Sequence, residues 1–292
     1  MDDRIAALPC WQGAIETRPL SGGLSNEIFW VRDAAGDHVV RLGQDYPFHH
    51  VFRAREAMVA RAAARAGFGP AVEFAGPGVM VTAFLAARTW TAADVAANPA
   101  RVGRLLRDFH VRMGPGIEGP AFLFWVFHVI RDYGRTLTAA GSPFAEGVPG
   151  WLALAQGLEA AQVPLPIIFG HNDLLPANFL DDGTRLWLID YEYAGFSTAM
   201  FDLAGAASNA GLPPEAADDL LGTYFGHAPD AALRRAFDAM QVASLLREAM
   251  WAMVSALHLS APGVDYPAYA RENLARLEVS LSLFQSRHGK LP

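Results

Sequence analysis

The chain has 292 residues, of which 52% are hydrophobic and 18% are charged, and its formal net charge is −7. This composition supplies apolar material for one large domain, or for two lobes that share a cleft, and it argues against extensive disorder. Because the sequence contains no run of basic residues, nucleic acids and anionic membrane surfaces are poor candidates as partners.

Three local features of the sequence bear on membrane insertion, disulfide formation and secretion. Residues 249–264 form the most apolar stretch, but serines, a histidine and a proline interrupt it, so it falls short of the ~18 residues that a membrane helix needs. Cys10 is the only cysteine, which excludes a disulfide or a thiolate zinc site within one chain. The N-terminus lacks the pattern of a signal peptide. We therefore expect a cytoplasmic protein without membrane insertion.

Residues 1–85 are predicted to form a small antiparallel sheet packed on one helix. Strand-like runs at 27–32 and 38–42 are separated by a turn at 33–37, and a second pair follows at 71–75 and 79–84. Between the two pairs, residues 52–66 have a helical pattern that ends at glycines and a proline.

Residues 86–292 are predicted to form a larger, mainly helical lobe. The helical patterns lie at 92–97, 99–113, 149–161, 214–225, 231–259 and 266–287. A strand-like segment at 166–170 leads into a polar loop, and a turn at 181–183 leads into a second strand-like run at 185–191. The sequence thus predicts an α+β protein with two lobes, residues 1–85 and 86–292.

The strongest chemical signal is His171-Asn-Asp173-Leu-Leu-Pro-Ala-Asn178, followed twelve residues later by Asp190. Phosphoryl transfer from ATP needs a carboxylate that accepts the proton of the acceptor hydroxyl, and oxygen ligands that hold Mg²⁺ against the phosphates. Asp173 could supply the carboxylate, whereas Asn178 and Asp190 could supply the metal ligands. Each residue alone could be an ordinary turn or capping residue, but the ordered set between two strand-like runs favours a functional site.

This stretch resembles the catalytic loop and metal-binding aspartate of the choline/ethanolamine kinase family, within the aminoglycoside phosphotransferase superfamily and its protein-kinase-like two-lobed fold. The resemblance covers essentially the whole chain and implies an ATP- and Mg²⁺-dependent kinase. It implies that Asp173 is the catalytic base, that Asn178 and Asp190 bind Mg²⁺, and that Asp202 tethers the catalytic loop. His171 is suited to bracing that loop by hydrogen bonds.

The small lobe carries the predicted nucleotide-binding residues. Glycines allow backbone amides to approach phosphates, and the stretch before the first predicted strand resembles the phosphate loop of choline kinases through Gly22, Gly23, Ser25 and Asn26. Read alone, this stretch would be an ordinary tight turn.

Kinases also need a cation on the third strand of the small lobe, paired with a glutamate on the helix. Lys290 is the only lysine of the chain, so Arg41 is the well-placed cation and Glu56 its natural partner. Alternatively, Glu56 pairs with an arginine of its own helix. By position, Phe84 and Leu85 are the expected hinge at which the backbone binds adenine.

The expected acceptor is a small amino alcohol such as choline. A quaternary ammonium is held by aromatic faces and nearby carboxylates, and Tyr193, Trp251 and Tyr269 could provide the faces with Glu248 as the counter-charge. The alternative for each aromatic residue is core packing. The chain departs from the family in two places: Glu248 stands where a tryptophan is common, and Asn209 stands where eukaryotic members usually have a glutamate. These departures also fit a smaller primary amine or a different alcohol.

Two other functions remain open at this point. The same machinery could phosphorylate an aminoglycoside, thiamine or a sugar. A catalytically silent nucleotide-binding protein is the alternative from a different class, but such relatives usually lose the base or a metal ligand, and this chain keeps all three residues. The sequence leaves the true acceptor, the pathway and the oligomeric state undetermined.

Overall fold

A five-stranded antiparallel sheet forms the first lobe, with its strands in the spatial order 16–20, 27–32, 37–42, 79–83 and 72–76. The computed structural model describes residues 3–20, 27–260 and 263–291. The elements of this lobe are α1 (Asp3–Ala6), β1 (Glu16–Leu20), β2 (Glu27–Arg32), β3 (Asp37–Leu42), α2 (Arg53–Ala66), β4 (Val72–Gly76) and β5 (Val79–Ala83).

The alternation of side chains along β3 separates the small core of this lobe from its charged face. Val40 and Leu42 are buried with Val31 and Val81 in one hydrophobic cluster. Since successive side chains of a strand point to opposite faces, Arg41 lies on the other face, where α2 packs. Gly67 ends α2 in the left-handed region (φ 78°), a conformation that glycine adopts without steric cost.

Helices dominate the second lobe. The helices are α3 (Ala92–Ala97), α4 (Pro99–Met113), α5 (Val126–Ala139), α6 (Val148–Ala160), α7 (Ala199–Ala210), α8 (Pro214–Phe225), α9 (Ala231–His258) and α10 (Tyr266–His288). The short strands are β6 (Arg88–Thr89), β7 (Ile167–Gly170), β8 (Phe179–Asp181), β9 (Leu186–Leu188) and β10 (Gly195–Thr198).

The long helix α9 is the centre of this lobe, because it is buried along most of its length and packs against α5, α6, α7 and α10. β7 pairs with β10, and β8 pairs with β6 and β9, all antiparallel. The β7–β10 pair joins the two ends of segment 171–194, and β8 and β9 form a hairpin within it. None of the helices within the described ranges combines the length and hydrophobicity of a membrane-spanning segment.

The α+β, two-lobed fold class predicted from the sequence is confirmed, although several elements differ from prediction. β1 adds a fifth strand, and the strand expected at 185–191 ends at Leu188. The helices α5 and α7 were not predicted from the sequence. α7 is rich in alanine and buried on nearly every side, so it has no amphipathic pattern to detect. The boundary between residues 85 and 86 stays a prediction.

The helices α4 and α8 approach each other closely at Gly103, and a substitution there tests how tightly they pack. A Cβ at this position would lie 2.9 Å from the backbone oxygen of Leu220, whereas a Cβ at Gly150, on the exposed side of α6, would meet nothing within 4 Å. We predict that Gly103→Ala lowers the free energy of unfolding by about 1–3 kcal/mol through overpacking. The control Gly150→Ala should raise it by about 0.5–1 kcal/mol through helix propensity. Urea denaturation measures both, and equal effects of the two substitutions would contradict the packing account.

Candidate active site

The loop 171–178 is held by one buried carboxylate. Asp202, in the first turn of α7 and 2% exposed, accepts hydrogen bonds from the backbone amides of His171 (2.8 Å) and Asn172 (2.7 Å). It also accepts one from His110 Nε2 (2.8 Å). Burial works to raise the pKa of Asp202, but these hydrogen bonds and the nearby histidines bring it below its ordinary value. Asp202 therefore anchors the start of the loop.

Two residues beside this anchor have left-handed backbone conformations that non-glycine residues rarely adopt. Asn172 has φ 61° and Asp190 has φ 67°. The side-chain nitrogen of Asn172 donates to the backbone oxygens of Tyr193 (3.1 Å) and Gly195 (3.3 Å), which holds the unusual conformation in place. Such backbone strain persists only where the surroundings determine it and is frequent at functional sites.

His171 is fully buried in the same loop. Its Nε2 donates to the backbone oxygen of Ile189 (2.9 Å), which ties the loop to the segment that carries Asp190. Burial lowers the pKa of His171, so the imidazole is neutral at pH 7. These contacts fit a residue that braces the loop, and the role of His171 in catalysis stays a prediction.

Three carboxylates converge at the end of this loop. Asp173, Asp190 and Glu192 each offer an oxygen atom, and these atoms lie within 4.8 Å of one another. Burial raises the pKa of Asp173 well above its ordinary value, and the charges of Asp190, Glu248 and Glu192 add to this rise, whereas Arg247 opposes it. Closely spaced carboxylate oxygens are the ligand set that suits Mg²⁺. The residues thus fit a divalent metal site.

The predicted metal ligand Asn178 lies on the same loop, where its side-chain nitrogen donates to the backbone oxygen of Asp173 (2.8 Å). This bond leaves its Oδ1 as the atom that could bind a metal. Sequence reasoning assigned no role to Glu192, although its position two residues after Asp190 is a signal that could have suggested it. The metal-binding roles of Asn178 and Asp190 stay predictions.

Two arginines from the small lobe balance these carboxylates. Arg41 forms an ion pair with Glu56, and its Nη1 lies 2.8 Å from Asp190 Oδ1. Arg53 Nη1 lies 2.7 Å from Glu56 Oε2 and 2.9 Å from Glu192 Oε2. Glu56 therefore makes both of the contacts considered from the sequence, with Arg41 on β3 and with an arginine of its own helix. Burial and the charge of Asp190 raise the pKa of Glu192, and Arg53 opposes this rise.

The structure gives little information on the predicted phosphate loop and on the predicted adenine-binding hinge. Gly22, Gly23, Ser25 and Asn26 lie outside the described residues. At the expected hinge, the backbone amide of Phe84 donates to the backbone oxygen of Asp37 (3.0 Å), and the carbonyl of Leu85 accepts from the backbone amide of Ala87 (2.8 Å). These two backbone groups are thus engaged within the protein, and adenine binding by the hinge stays a prediction.

The four residues predicted to bind the acceptor lie in one cluster. Trp251 Nε1 donates to Tyr193 Oη (2.9 Å), and Tyr269 Oη donates to Glu248 Oε1 (2.9 Å). The guanidinium carbon of Arg247 lies 4.3 Å from the centre of the Tyr193 ring, and Arg247 Nη1 donates to Glu248 Oε2 (2.9 Å).

Sequence reasoning missed two further members of this cluster. Arg247 is buried beside Glu248, and His49 stacks on Trp251 with ring centres 5.2 Å apart. A histidine so far along the chain from α9 gives no local signal. Asn209, one of the departures from the family pattern, donates from its side-chain nitrogen to the backbone oxygen of Leu174 (3.2 Å), so it supports the loop 171–178.

Comparison with known proteins identifies the family of the chain. The sequence profile of choline/ethanolamine kinases matches residues 17–208, which is most of the chain and includes the whole convergent site. The chain belongs to the choline/ethanolamine kinase family.

Individual members of the family show how far the similarity extends. A choline/ethanolamine kinase family protein from Mesorhizobium loti has a similar structure, with a TM-score of 0.80, 31% identity and coverage of 98% of this chain and 95% of that one. Protein LicA of Haemophilus influenzae is 50% identical over 54 residues, 18% of this chain and 20% of LicA. A probable ethanolamine kinase of Arabidopsis thaliana is 28% identical over 205 residues, 63% of this chain.

The chain spans only about half of the Arabidopsis kinase (53%) and a fifth of LicA (20%). Membership of the choline/ethanolamine kinase family therefore accounts for the fold and the shared sequence motifs. The identity of the acceptor depends on the residues of the acceptor cluster.

The buried His49 predicts how stability depends on pH. His49 bonds to Tyr133 Oη (3.0 Å) and Ser255 Oγ (2.8 Å), and burial, with the charge of Arg247, lowers its pKa to about 2. Below the unfolded pKa of about 6.5, the unfolded chain takes up a proton that the folded chain refuses. This site therefore stabilises the fold fully above pH 6.5 and contributes less as the pH falls, by about 2 kcal/mol between pH 7 and pH 5.

We predict that His49→Gln removes this part of the pH dependence. Urea unfolding at pH 7, 6 and 5 measures the slope in wild type and variant, and His227→Gln, which removes an exposed imidazole, is the matched control. A slope in His49→Gln equal to that of wild type would contradict the assignment.

Proposed function

We propose that the chain transfers the γ-phosphoryl group of ATP to the hydroxyl of choline or a related amino alcohol. The observation that carries the proposal is the convergence of Asp173, Asp190 and Glu192 within 4.8 Å on the segment that matches the family. Because the proposed reaction consumes ATP, we expect the enzyme to act in the cytoplasm on a small-molecule acceptor.

The catalytic base of the proposed reaction is Asp173. Its carboxylate takes the proton of the acceptor hydroxyl as the hydroxyl oxygen bonds to the γ-phosphorus, and the bond from that phosphorus to the bridging oxygen breaks to release ADP. Burial and the neighbouring carboxylates raise the pKa of Asp173, which makes it a stronger base than a solvent-exposed aspartate. Asp202 keeps this carboxylate in place through the His171 and Asn172 amides.

The charges around the base are arranged for a polyanionic substrate. Asp190, Glu192 and Asn178 would hold Mg²⁺, which supplies positive charge to the phosphate oxygens when it is bound. Arg41 would contact the same phosphates from β3, and its ion pair with the buried Glu56 keeps its guanidinium directed at the cleft. Positive groups fixed in advance stabilise the charge that develops in the transition state.

An acceptor screen tests this proposal. The purified chain with ATP and Mg²⁺ would be offered choline, ethanolamine, thiamine, an aminoglycoside and a hexose, and the phosphorylated product would be identified by mass spectrometry. We expect product from an amino alcohol. Product from thiamine, the aminoglycoside or the hexose alone would replace the acceptor, and an absence of product from all five would leave a nucleotide-binding protein without kinase activity.

Substitution of Asp173 tests the assigned base. Asp173→Asn removes the proton acceptor but keeps the size of the side chain, so we predict that kcat falls at least ~100-fold while ATP affinity changes little. Turnover is measured by coupled ADP release, and ATP affinity by calorimetry. Asp219→Asn, at an exposed position on α8, is the control and should keep wild-type turnover. Full activity in Asp173→Asn would show that the base is another group.

A further inference from the structure

Two of the three aromatic residues that could hold a quaternary ammonium, Tyr193 and Trp251, are already covered by groups of the protein, whereas Tyr269 stays partly exposed. Tyr193 is 4% exposed, and the guanidinium of Arg247 lies 4.3 Å from the centre of its ring. Trp251 is 8% exposed, and the His49 imidazole stacks on it with an interplanar angle of 24°. The indole N–H of Trp251 is committed to Tyr193 Oη. Tyr193 and Trp251 therefore offer little surface for a cation–π contact with a trimethylammonium group, and Tyr269 alone does not enclose one.

Glu248, in contrast, keeps an accessible carboxylate in the same cluster. Its side chain is 14% exposed. Oε1 accepts from Tyr269 and Oε2 accepts from Arg247, so the two donors fix the orientation of the carboxylate. Because each carboxylate oxygen can accept a further hydrogen bond, Glu248 is prepared to receive N–H donors from a bound molecule.

Arg247 lies between Glu248 and the proposed base. Its guanidinium donates to Glu248 and is close enough to Asp173 to act on it electrostatically. The two carboxylates therefore lie near the same buried cation. Asp173 would receive the hydroxyl end of an amino alcohol, and Glu248 would receive the ammonium end.

We infer that the acceptor is an amino alcohol whose ammonium carries N–H groups, and that Glu248, held by Arg247 and Tyr269, selects it by hydrogen bonding rather than by an aromatic cage. This inference rests on the proposed kinase function and specifies its acceptor. A trimethylammonium group covers the carboxylate of Glu248 without donating a hydrogen bond, so the remaining acceptor positions of the two oxygens stay unfilled. A primary ammonium donates up to three.

A methylation series of acceptors tests the inference on the wild-type chain. Ethanolamine, N-methylethanolamine, N,N-dimethylethanolamine and choline have the same hydroxyl and the same charge, and they differ in the number of N–H groups. We expect kcat/KM to fall along the series and to be about 10- to 100-fold lower for choline than for ethanolamine, the usual effect of losing hydrogen bonds to a charged group. A kcat/KM for choline equal to or above that for ethanolamine would overturn the inference.

Two variants identify the residue that selects the acceptor. Glu248→Gln keeps the shape of the side chain and removes its charge, so the KM for ethanolamine should rise about 10-fold, the KM for choline should rise much less, and the KM for ATP should not change. The matched control is Glu272→Gln, at an exposed position on α10, which should behave as wild type. Equal changes for ethanolamine and choline in Glu248→Gln would remove Glu248 from the role.

The results also separate this inference from the proposed function. A reversed order in the methylation series, with product formed from each acceptor, overturns the inference and leaves the kinase function standing. The absence of product from all four acceptors overturns both. The series needs no variant, so a Glu248→Gln chain that failed to fold would not remove the test.

Discussion

Three carboxylates that repel one another at close range set the main constraint on this fold. Asp173, Asp190 and Glu192 have oxygen atoms within 4.8 Å of one another, and like charges at such distances disfavour ionisation unless cations lie nearby. Arg41 and Arg53 supply those cations from the small lobe, and both are held by the buried Glu56. The contact between β3, α2 and the catalytic segment is therefore electrostatic, and a metal–nucleotide complex would complete its charge balance.

Backbone geometry brings the carboxylates together. Asp202 accepts the first amides of the loop, Asn172 and Asp190 take left-handed conformations, and the β7–β10 pairing closes the segment behind them. These backbone features fix the direction of the carboxylate side chains in advance, which would limit the reorganisation that the proposed reaction needs.

Site residues that are close together in the sequence were mostly predicted, whereas residues that meet only in the folded chain were missed. The loop with Asp173 and Asn178, the return to Asp190 and the use of Arg41 in a lobe without lysine were all predicted because their spacing and residue types are local. Glu192 is the exception, because it lies only two residues after Asp190 and no role was assigned to it.

The residues of the acceptor cluster show the limit of such prediction more clearly. His49 and Trp251 are 202 positions apart in the sequence and meet only in the fold. The sequence does not distinguish Arg247 from the other arginines on helices, and only the structure shows that it is buried over the Tyr193 ring. The aromatic residues were predicted as a cage, whereas the structure surrounds two of them with protein groups and leaves a carboxylate accessible.

A crystal structure grown with Mn²⁺ and a non-hydrolysable ATP analogue would test the central claim most directly, since Mn²⁺ takes the same oxygen ligands as Mg²⁺ and is located by its anomalous scattering. The account predicts a metal that bridges the phosphates and is bonded to Asp190 and to an oxygen of Glu192 or Asn178. Metal bound to the phosphates with no oxygen of these three side chains among its ligands would contradict it.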